Sequence, residues 1–383
     1  MSRRMRKSVL APSTHRLSME ERIYRFPWGL MLIILAILGL GMMVLYSAGG
    51  AEGGGSLVMR QGVRLSGSLV LLFVLALAGE KVFRHHAYLI YLAALILLLV
   101  VFGAGTVGMG AQRWIDLGVI RLQPSELMKV ALVMALARWF HDRGGNKQIG
   151  VRELIGPIIL IAIPMILILK QPDLGTALAV GAAGAAVIFV AGISWKALAG
   201  FAVVIGSAMP IAWNNLHDYQ RQRVLTLFSP ESDPLGSGYH IIQSKIAVGS
   251  GGLFGKGFLN GSQNQLDFLP ERHTDFIFSV LAEEWGFIGA IIMLGLFALI
   301  VVRGFYISMR ARNRFGMLMA TGLTTMLGLQ VVINVGMVVG VLPVVGIPLP
   351  LVSYGGSSLL TVMMAIGLLA HVSIHSKPMS RPV

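Results

Sequence analysis

LPERHTDFIFSVLAEEWG, residues 269–286, begins as a polar loop and ends inside an apolar stretch that carries no charge from Phe287 to Val302. An apolar helix of about 20 residues crosses the ~30 Å hydrocarbon core of a bilayer, so this segment predicts a membrane span that opens near residue 276. One carboxylate, Asp275, stands where the loop gives way to the helix, beside Arg272, His273 and Thr274. A charge at the edge of the membrane is costly to keep and marks a functional candidate.

The rest of the chain has the same character. It has 383 residues, 55% of them hydrophobic and only 13% charged, more apolar surface than a soluble domain can bury within itself. Further apolar runs fall near 27–47, 65–79, 87–104, 123–140, 154–169, 174–191, 197–213, 316–339 and 354–374. With 276–302 they predict an all-α polytopic membrane protein of about ten transmembrane helices. The runs at 65–79 and 154–169 are short for a full crossing and are expected either to tilt little or to extend into their flanks. The run from Trp28 to Tyr46 follows Arg3, Arg4, Arg6 and Lys7, but it is too long for a cleaved signal peptide and reads as the first helix.

A net charge of +14 would suggest nucleic acid in a soluble chain. Here the basic residues sit in short loops between spans, where they set topology, and no nucleic-acid partner is expected. Of the 31 Lys and Arg residues, 19 lie on the side of the termini and ten on the other, while Lys129 and Arg138 fall inside a span. Both termini are therefore expected in the cytoplasm. The expected organisation is a basic cytoplasmic tail over 1–26, a single membrane domain over 27–375 and a second cytoplasmic tail over 376–383. A large extracytoplasmic loop, 214–275, separates the seventh and eighth helices. The absence of cysteine excludes disulfides, thiolate metal sites and Cys nucleophiles.

This topology gathers the polar motifs at the outer face: residues 108–129, 170–176, 214–275 and 341–358. Loops converging in this way can assemble a site. In the first, Pro124 suits the opening turn of a helix, which places Glu126 and Lys129 at i and i+3, close enough to pair inside a span. Such a pair serves either packing or chemistry. Arg113 and Arg121 flank it and suit an anionic ligand or lipid headgroups. Asp173 in KQPDLGT reads as a helix N-cap. The glycine-rich run AVGSGGLFGKGFLNGS, 247–262, lacks the spacing of a phosphate-binding P-loop, because Ser250 and Gly257 stand where that motif needs Gly and Ser or Thr. It reads as a close-packed or mobile surface loop, and YHIIQSKIAV, 239–248, as a short interfacial helix. On a straight helix Glu283 and Glu284 would lie about 12–14 Å deeper than Asp275 and point about 80° and 180° away from it, so Asp275 acts without them. As an acid at a helix start, Asp275 is either an N-cap or a reactive group.

The strings RWIDLGVIRLQPSELMK (113–129), QPDLGTAL (171–178), LPERHTDFIFSVLAEEWG (269–286) and PVVGIPLPLVSYGGSS (343–358) occur in that order on a many-span chain. In this the chain resembles the SEDS family (shape, elongation, division and sporulation), its cell-elongation branch above its division branch, over about residues 27–375. The resemblance implies a peptidoglycan glycosyltransferase of the inner membrane. It would polymerise lipid II on the outer face during elongation and rod-shape maintenance, paired with a class B penicillin-binding protein and other elongation-complex membrane proteins. It places the family's essential aspartate on Asp275 and the acid and base of its PSExxK motif on Glu126 and Lys129.

The chemistry agrees with the residues. The transfer that the resemblance implies is an inverting one, from a polyprenyl pyrophosphate to a sugar hydroxyl. Hydrolysis of an ordinary glycoside needs an acid for the leaving oxygen as well as a base, whereas a pyrophosphate leaves unaided, so one carboxylate can suffice. Asp275 is the expected base. Arg113, Lys256, Arg272 or a divalent cation would offset charge on the pyrophosphate, with His273 as a further supporting residue. The sequence points to no other cofactor. A lipid II flippase and a non-catalytic scaffold that activates a penicillin-binding protein are the alternative functions.

Overall fold

The computed structural model describes residues 17–376 except 80, 109, 110, 117, 119, 120, 145–148, most of 195–235, 267 and 270. A short capped helix, α1 (Met19–Tyr24), precedes α2 (Trp28–Ala48), α3 (Gly50–Ala76) and α4 (Val82–Ala104). Three strands follow, β1 (Thr106–Gly108), β2 (Ala111–Asp116) and β3 (Arg121–Leu122). Then come α5 (Pro124–Asp142), α6 (Val151–Lys170), α7 (Leu174–Val190), α8 (Ser237–Ser250) and α9 (Ser262–Gln265). The chain closes with α10 (Ile277–Met309), α11 (Arg314–Val338) and α12 (Gly356–Ile374).

Nine of the ten expected spans are helices; the expected span 197–213 lies largely outside the described residues, as do 1–16 and 377–383 of the tails. Among the described residues seven helices are long and apolar enough to cross a membrane, and α7 is a shorter apolar one. This is a multi-pass membrane protein. The two short runs extend into their flanks: α3 starts at Gly50 and so takes in Arg60 and Arg64, and α6 covers 151–170.

Burial orders the bundle. In their most apolar stretches α11 and α12 are 67% and 78% buried, against 17–28% for α3, α4 and α6, which makes the former pair the centre and the latter the lipid-facing periphery. α12 packs along α3, α4 along α5 and α10 along α11, while α11 also touches α5 and α7. α5 buries most of its length, from Pro124 to Ala137, which explains how it tolerates two charges that lipid would not.

Two features depart from a simple helical bundle. Residues 106–122 form a small antiparallel sheet in the order β1-β2-β3, pairing Ile115 with Leu122 and Asp116 with Arg121, with an irregular register between Thr106 and Val107. The helix that opens the molecule's decisive segment is also broken: Gly286 adopts φ 66°, ψ −164°, splitting α10 into 277–285 and 287–309. A break in a span frees backbone groups that must be satisfied within the protein. The glycine-rich run supplies the partners. Lys256 and Gly257 N–H donate to the carbonyls of Glu283 and Glu284 at 3.0 Å each, and Phe287 and Ile288 N–H donate to Gly252 and Leu253 at 2.9 and 3.1 Å. The run is thus close-packed. A Cβ on Gly286 would lie 2.3 Å from the Gly255 nitrogen, so both geometry and space demand glycine there.

Gly286→Ala is expected to destabilise the protein by about 1–3 kcal/mol from backbone strain alone, with the clash adding to it. Gly295→Ala, in the same helix with nothing within 4 Å of its Cβ position, serves as the neutral comparison. Thermal unfolding in detergent reads the difference.

Candidate active site

Residues 271–276 form successive turns that deliver the chain into α10. The N-cap of that helix is Phe276, not Asp275. Asp275 therefore stands one residue before the cap, half-buried.

Three consecutive carbonyls of this loop are held from one side. Tyr354 N–H donates to His273 O at 2.8 Å, the Ser353 hydroxyl to Thr274 O at 2.6 Å, and Asn334 Nδ2 to Asp275 O at 2.8 Å. The clamp is itself braced. Asn334 Nδ2 also donates to Ile347 O at 2.8 Å, and Ser353 Oγ accepts from Leu349 N–H at 2.8 Å. Thus α11 and segment 346–354 fix the backbone that carries Asp275. The carboxylate faces the same segment: Asp275 Oδ2 is 3.4 Å from where a Cβ of Gly346 would stand, and Gly346 has φ 73°. A side chain at 346 would be strained and would press on the carboxylate.

Asn334 and Ser353 carry no charge, and Asn334 lies within an apolar span, so sequence reasoning gave them no role. Asn334→Ala is expected to strand the buried Ile347 carbonyl, at about 1–3 kcal/mol, and to release the part-buried carbonyl of Asp275 at a smaller cost. If the clamp positions Asp275, turnover falls while substrate KM changes little. Unchanged turnover in the folded variant would leave Asn334 a packing residue only.

The neighbouring side chains are committed as follows. Arg272 Nε donates to Ala48 O and Nη1 to Asn264 O, both at 2.7 Å, pinning the loop to the end of α2. These two bonds fix its direction. The His273 ring meets Tyr354 edge-on at 6.0 Å, and the Arg64 guanidinium lies 4.6 Å from the centre of the Tyr354 ring. Arg64, which sat in an expected loop, is thereby brought to this layer by the longer α3. Burial pushes the His273 imidazole below its ordinary 6.5; Glu271 opposes this and Arg272 adds to it. At pH 7 His273 is neutral, so it is no cation for a pyrophosphate. Because the unfolded state binds the proton more readily, the stability gained from neutral His273 is present above pH 6.5 and declines as pH falls through the lowered value.

Arg113 and Lys256, expected to face developing charge, are both engaged elsewhere. Arg113, on β2, donates to Gln171 O at 3.1 Å and to Pro172 O, tying the sheet to the α6–α7 link. Lys256 Nζ lies 2.7 Å from both Glu283 Oε1 and Ser262 Oγ, so its charge is largely neutralised. Glu283 and Glu284, fully and almost fully buried, belong to this second cluster: the Ser47 hydroxyl donates to Glu284 and Gln263 N–H to Glu283. Asp173 caps α7 by accepting from Thr176 N–H at 3.1 Å.

Glu126 and Lys129 make the ion pair their spacing predicts, at 2.7 Å and with side chains 5% and 2% exposed. They sit in the first turns of α5. Ser357 joins that helix start to α12 by donating to Arg121 O and accepting from Gln123 N–H. One segment, 353–357, therefore touches both the Asp275 loop and the entrance to the buried pair. Among the described residues no three His, Asp or Glu side chains gather in a form that could hold a metal ion.

A multi-pass bundle in which one segment, 353–357, links a clamped loop carboxylate to the helix start that carries a buried acid–base pair defines a membrane-embedded class of enzyme-like sites. Residues 28–378 match the family described as "Cell cycle protein", which groups FtsW, RodA and SpoVE, and the chain belongs to this family. It is 46% identical to the peptidoglycan glycosyltransferase MrdB of Escherichia coli K12, over 92% of this chain and 95% of that protein. It is 35% identical to the stage V sporulation protein E of Bacillus subtilis, over 91% and 97%. Among solved structures it matches a chain from work described as "Structural coordination of polymerization and crosslinking by a peptidoglycan synthase complex", at 39% identity and TM-score 0.79, covering 91% and 97%. It also matches the Thermus thermophilus rod shape determining protein RodA, at 34% identity and TM-score 0.68, covering 91% and 96%.

Proposed function

We infer that this chain is a peptidoglycan glycosyltransferase that polymerises lipid II at the outer face of the cytoplasmic membrane, with Asp275 as its general base. The observation that carries the assignment of the base is the loop 273–275, whose three carbonyls are fixed from one side while its carboxylate lies against Gly346. Positioning of that kind is what proton transfer requires. The activity named for relatives at 46% and 36% identity supports the reaction class.

In the proposed step Asp275 takes the proton of an acceptor sugar hydroxyl as its oxygen bonds to the anomeric carbon of a second lipid-linked disaccharide. The carbon–oxygen bond to the pyrophosphate breaks from the opposite face, and polyprenyl pyrophosphate leaves with the bonding electrons. Arg272, held rigidly beside the base, supplies positive potential for this departure. Lys256, neutralised by Glu283, supports the loop instead. A divalent cation that offsets charge on the leaving group would be held by the pyrophosphate oxygens themselves. A class B penicillin-binding protein is the proposed partner, with elongation-complex membrane proteins around it; a neighbour described as part of a peptidoglycan synthase complex supports the pairing.

The test is glycan synthesis by the purified chain with a partner whose active-site serine is removed. Polymer formed in the absence of other polymerases supports the assignment. Movement of lipid II between the leaflets of a liposome without polymer would instead identify a flippase, and neither activity would leave a scaffold.

A further inference from the structure

At the end of the bundle away from Asp275, the first turn of α4 and the last turn of α5 enclose a cavity of about 420 Å3 lined by Lys81, Arg84, His85, Arg138, His141 and Asp142. Its single described carboxylate is already committed, since Asp142 Oδ2 pairs with Arg138 Nε at 2.5 Å. Arg138 also donates to Arg84 O, so it stands as a braced wall of the cavity.

The remaining groups are donors short of acceptors. Arg84 Nη1 lies 3.0 Å from His141 Nε2, and a guanidinium can only donate, so Nε2 accepts and the imidazole proton sits on Nδ1. That Nδ1 is buried and has no hydrogen-bond partner among the described residues. Arg84 is half-buried and has no carboxylate within 4 Å among them, and Lys81 and His85 are exposed at the rim. A buried donor without an acceptor is unfavourable unless something supplies the oxygen. Charge that only sets topology need lie on the correct side of the membrane. It need not converge on a concavity or bury an unmet N–H.

We propose that this cavity binds a phosphate group, presented by the headgroup of an anionic phospholipid. A phosphate offers several acceptor oxygens to a guanidinium fork and adjacent N–H groups, and basic pockets between membrane helices at headgroup depth suit such ligands. Inorganic phosphate carries the same chemistry and is the second source to distinguish. The site is remote from the Asp275 loop and does not depend on the reaction assigned there.

The full chain, purified in detergent, is to be mixed with phosphatidylglycerol or phosphatidylcholine and the retained lipids counted by native mass spectrometry. The wild type is expected to retain phosphatidylglycerol at least tenfold over phosphatidylcholine. Lys81→Gln/Arg84→Gln is expected to abolish that preference. Arg152→Gln, which removes an exposed charge from the start of α6 outside the cavity, is expected to keep it. Should the Arg84 change prevent folding, Lys81→Gln/His85→Gln breaks no hydrogen bond in the structure and makes the same test. Displacement of the lipid by millimolar inorganic phosphate would assign the site to phosphate alone, and resistance to displacement would assign it to the lipid. Equal retention of the two lipids by the wild type, or unchanged preference in a folded double variant, would overturn the proposal.

Discussion

Purified Asp275→Asn protein is expected to fold normally and to polymerise lipid II about 10²–10⁴-fold more slowly, the usual contribution of a positioned general base. The two halves of that expectation come from different atoms. The backbone carbonyl of Asp275 is held by Asn334, and substitution of the side chain leaves that carbonyl in place. The amide is close in size to the carboxylate and meets Gly346 in the same way, but it cannot accept the hydroxyl proton. The loss should appear in kcat with KM little changed, because substrate binding does not require the proton to move. Because Phe276 occupies the N-cap, the substitution does not remove an N-terminal cap from the helix. An Asp275→Asn enzyme that polymerises at the normal rate would sink the assignment of the base.

Lys129→Met is expected to cost about 3–5 kcal/mol, the typical penalty for stranding one member of a buried ion pair. Glu126 would be left 4% exposed, and its Oε2 already lacks a hydrogen-bond partner among the described residues. The double change Glu126→Gln/Lys129→Met should recover most of that stability, since an uncharged pair of similar volume carries no desolvation cost for a buried charge. Unfolding in detergent across the three variants reads this cycle. Activity then divides the two roles of the pair. A stable double variant that polymerises normally makes the pair a packing device, and a stable but inactive one gives it a part in the reaction.

The apolar runs made most of the bundle legible, because a lipid-facing helix must be apolar over its whole crossing and loops need not be. Where that rule loosens, reading failed in specific ways. Arg60, Gln61 and Arg64 looked like loop because they are polar, yet α3 includes them: Gln61 is buried and donates to Ser353 O at 3.3 Å, and Arg64 reaches the Tyr354 ring. The strands at 106–122 are too short and glycine-interrupted to show a period of two. Gly286 left no mark, since a single glycine within an apolar run resembles any other helical glycine, and only the distant run 252–257 reveals that the helix stops there.

The site was legible in its charges and illegible in its supports. Asp275 stood out because an acid at a membrane edge needs a reason, and Glu126 and Lys129 because their spacing pairs them. Asn334 and Ser353 are neutral, and their importance lies in bonds made across 59 and 79 residues of chain, which no local pattern encodes. Lys256 shows the opposite error. Its charge suggested a ligand, while Glu283, a distant acid, had already claimed it.

The interruption at Gly286 changes what the glycine-rich run before it is. Residues 252–257 lend two carbonyls and two amides to a helix that begins twenty residues later, so the loop is a spliced-in turn of that helix. Its deletion would unseat the span beneath the site together with the surface above it. The two must also be completed together: the loop is synthesised first, and it waits for residues 283–288 before its own backbone is satisfied. A partner that grips the outer surface of this loop would hold a lever rooted in the membrane.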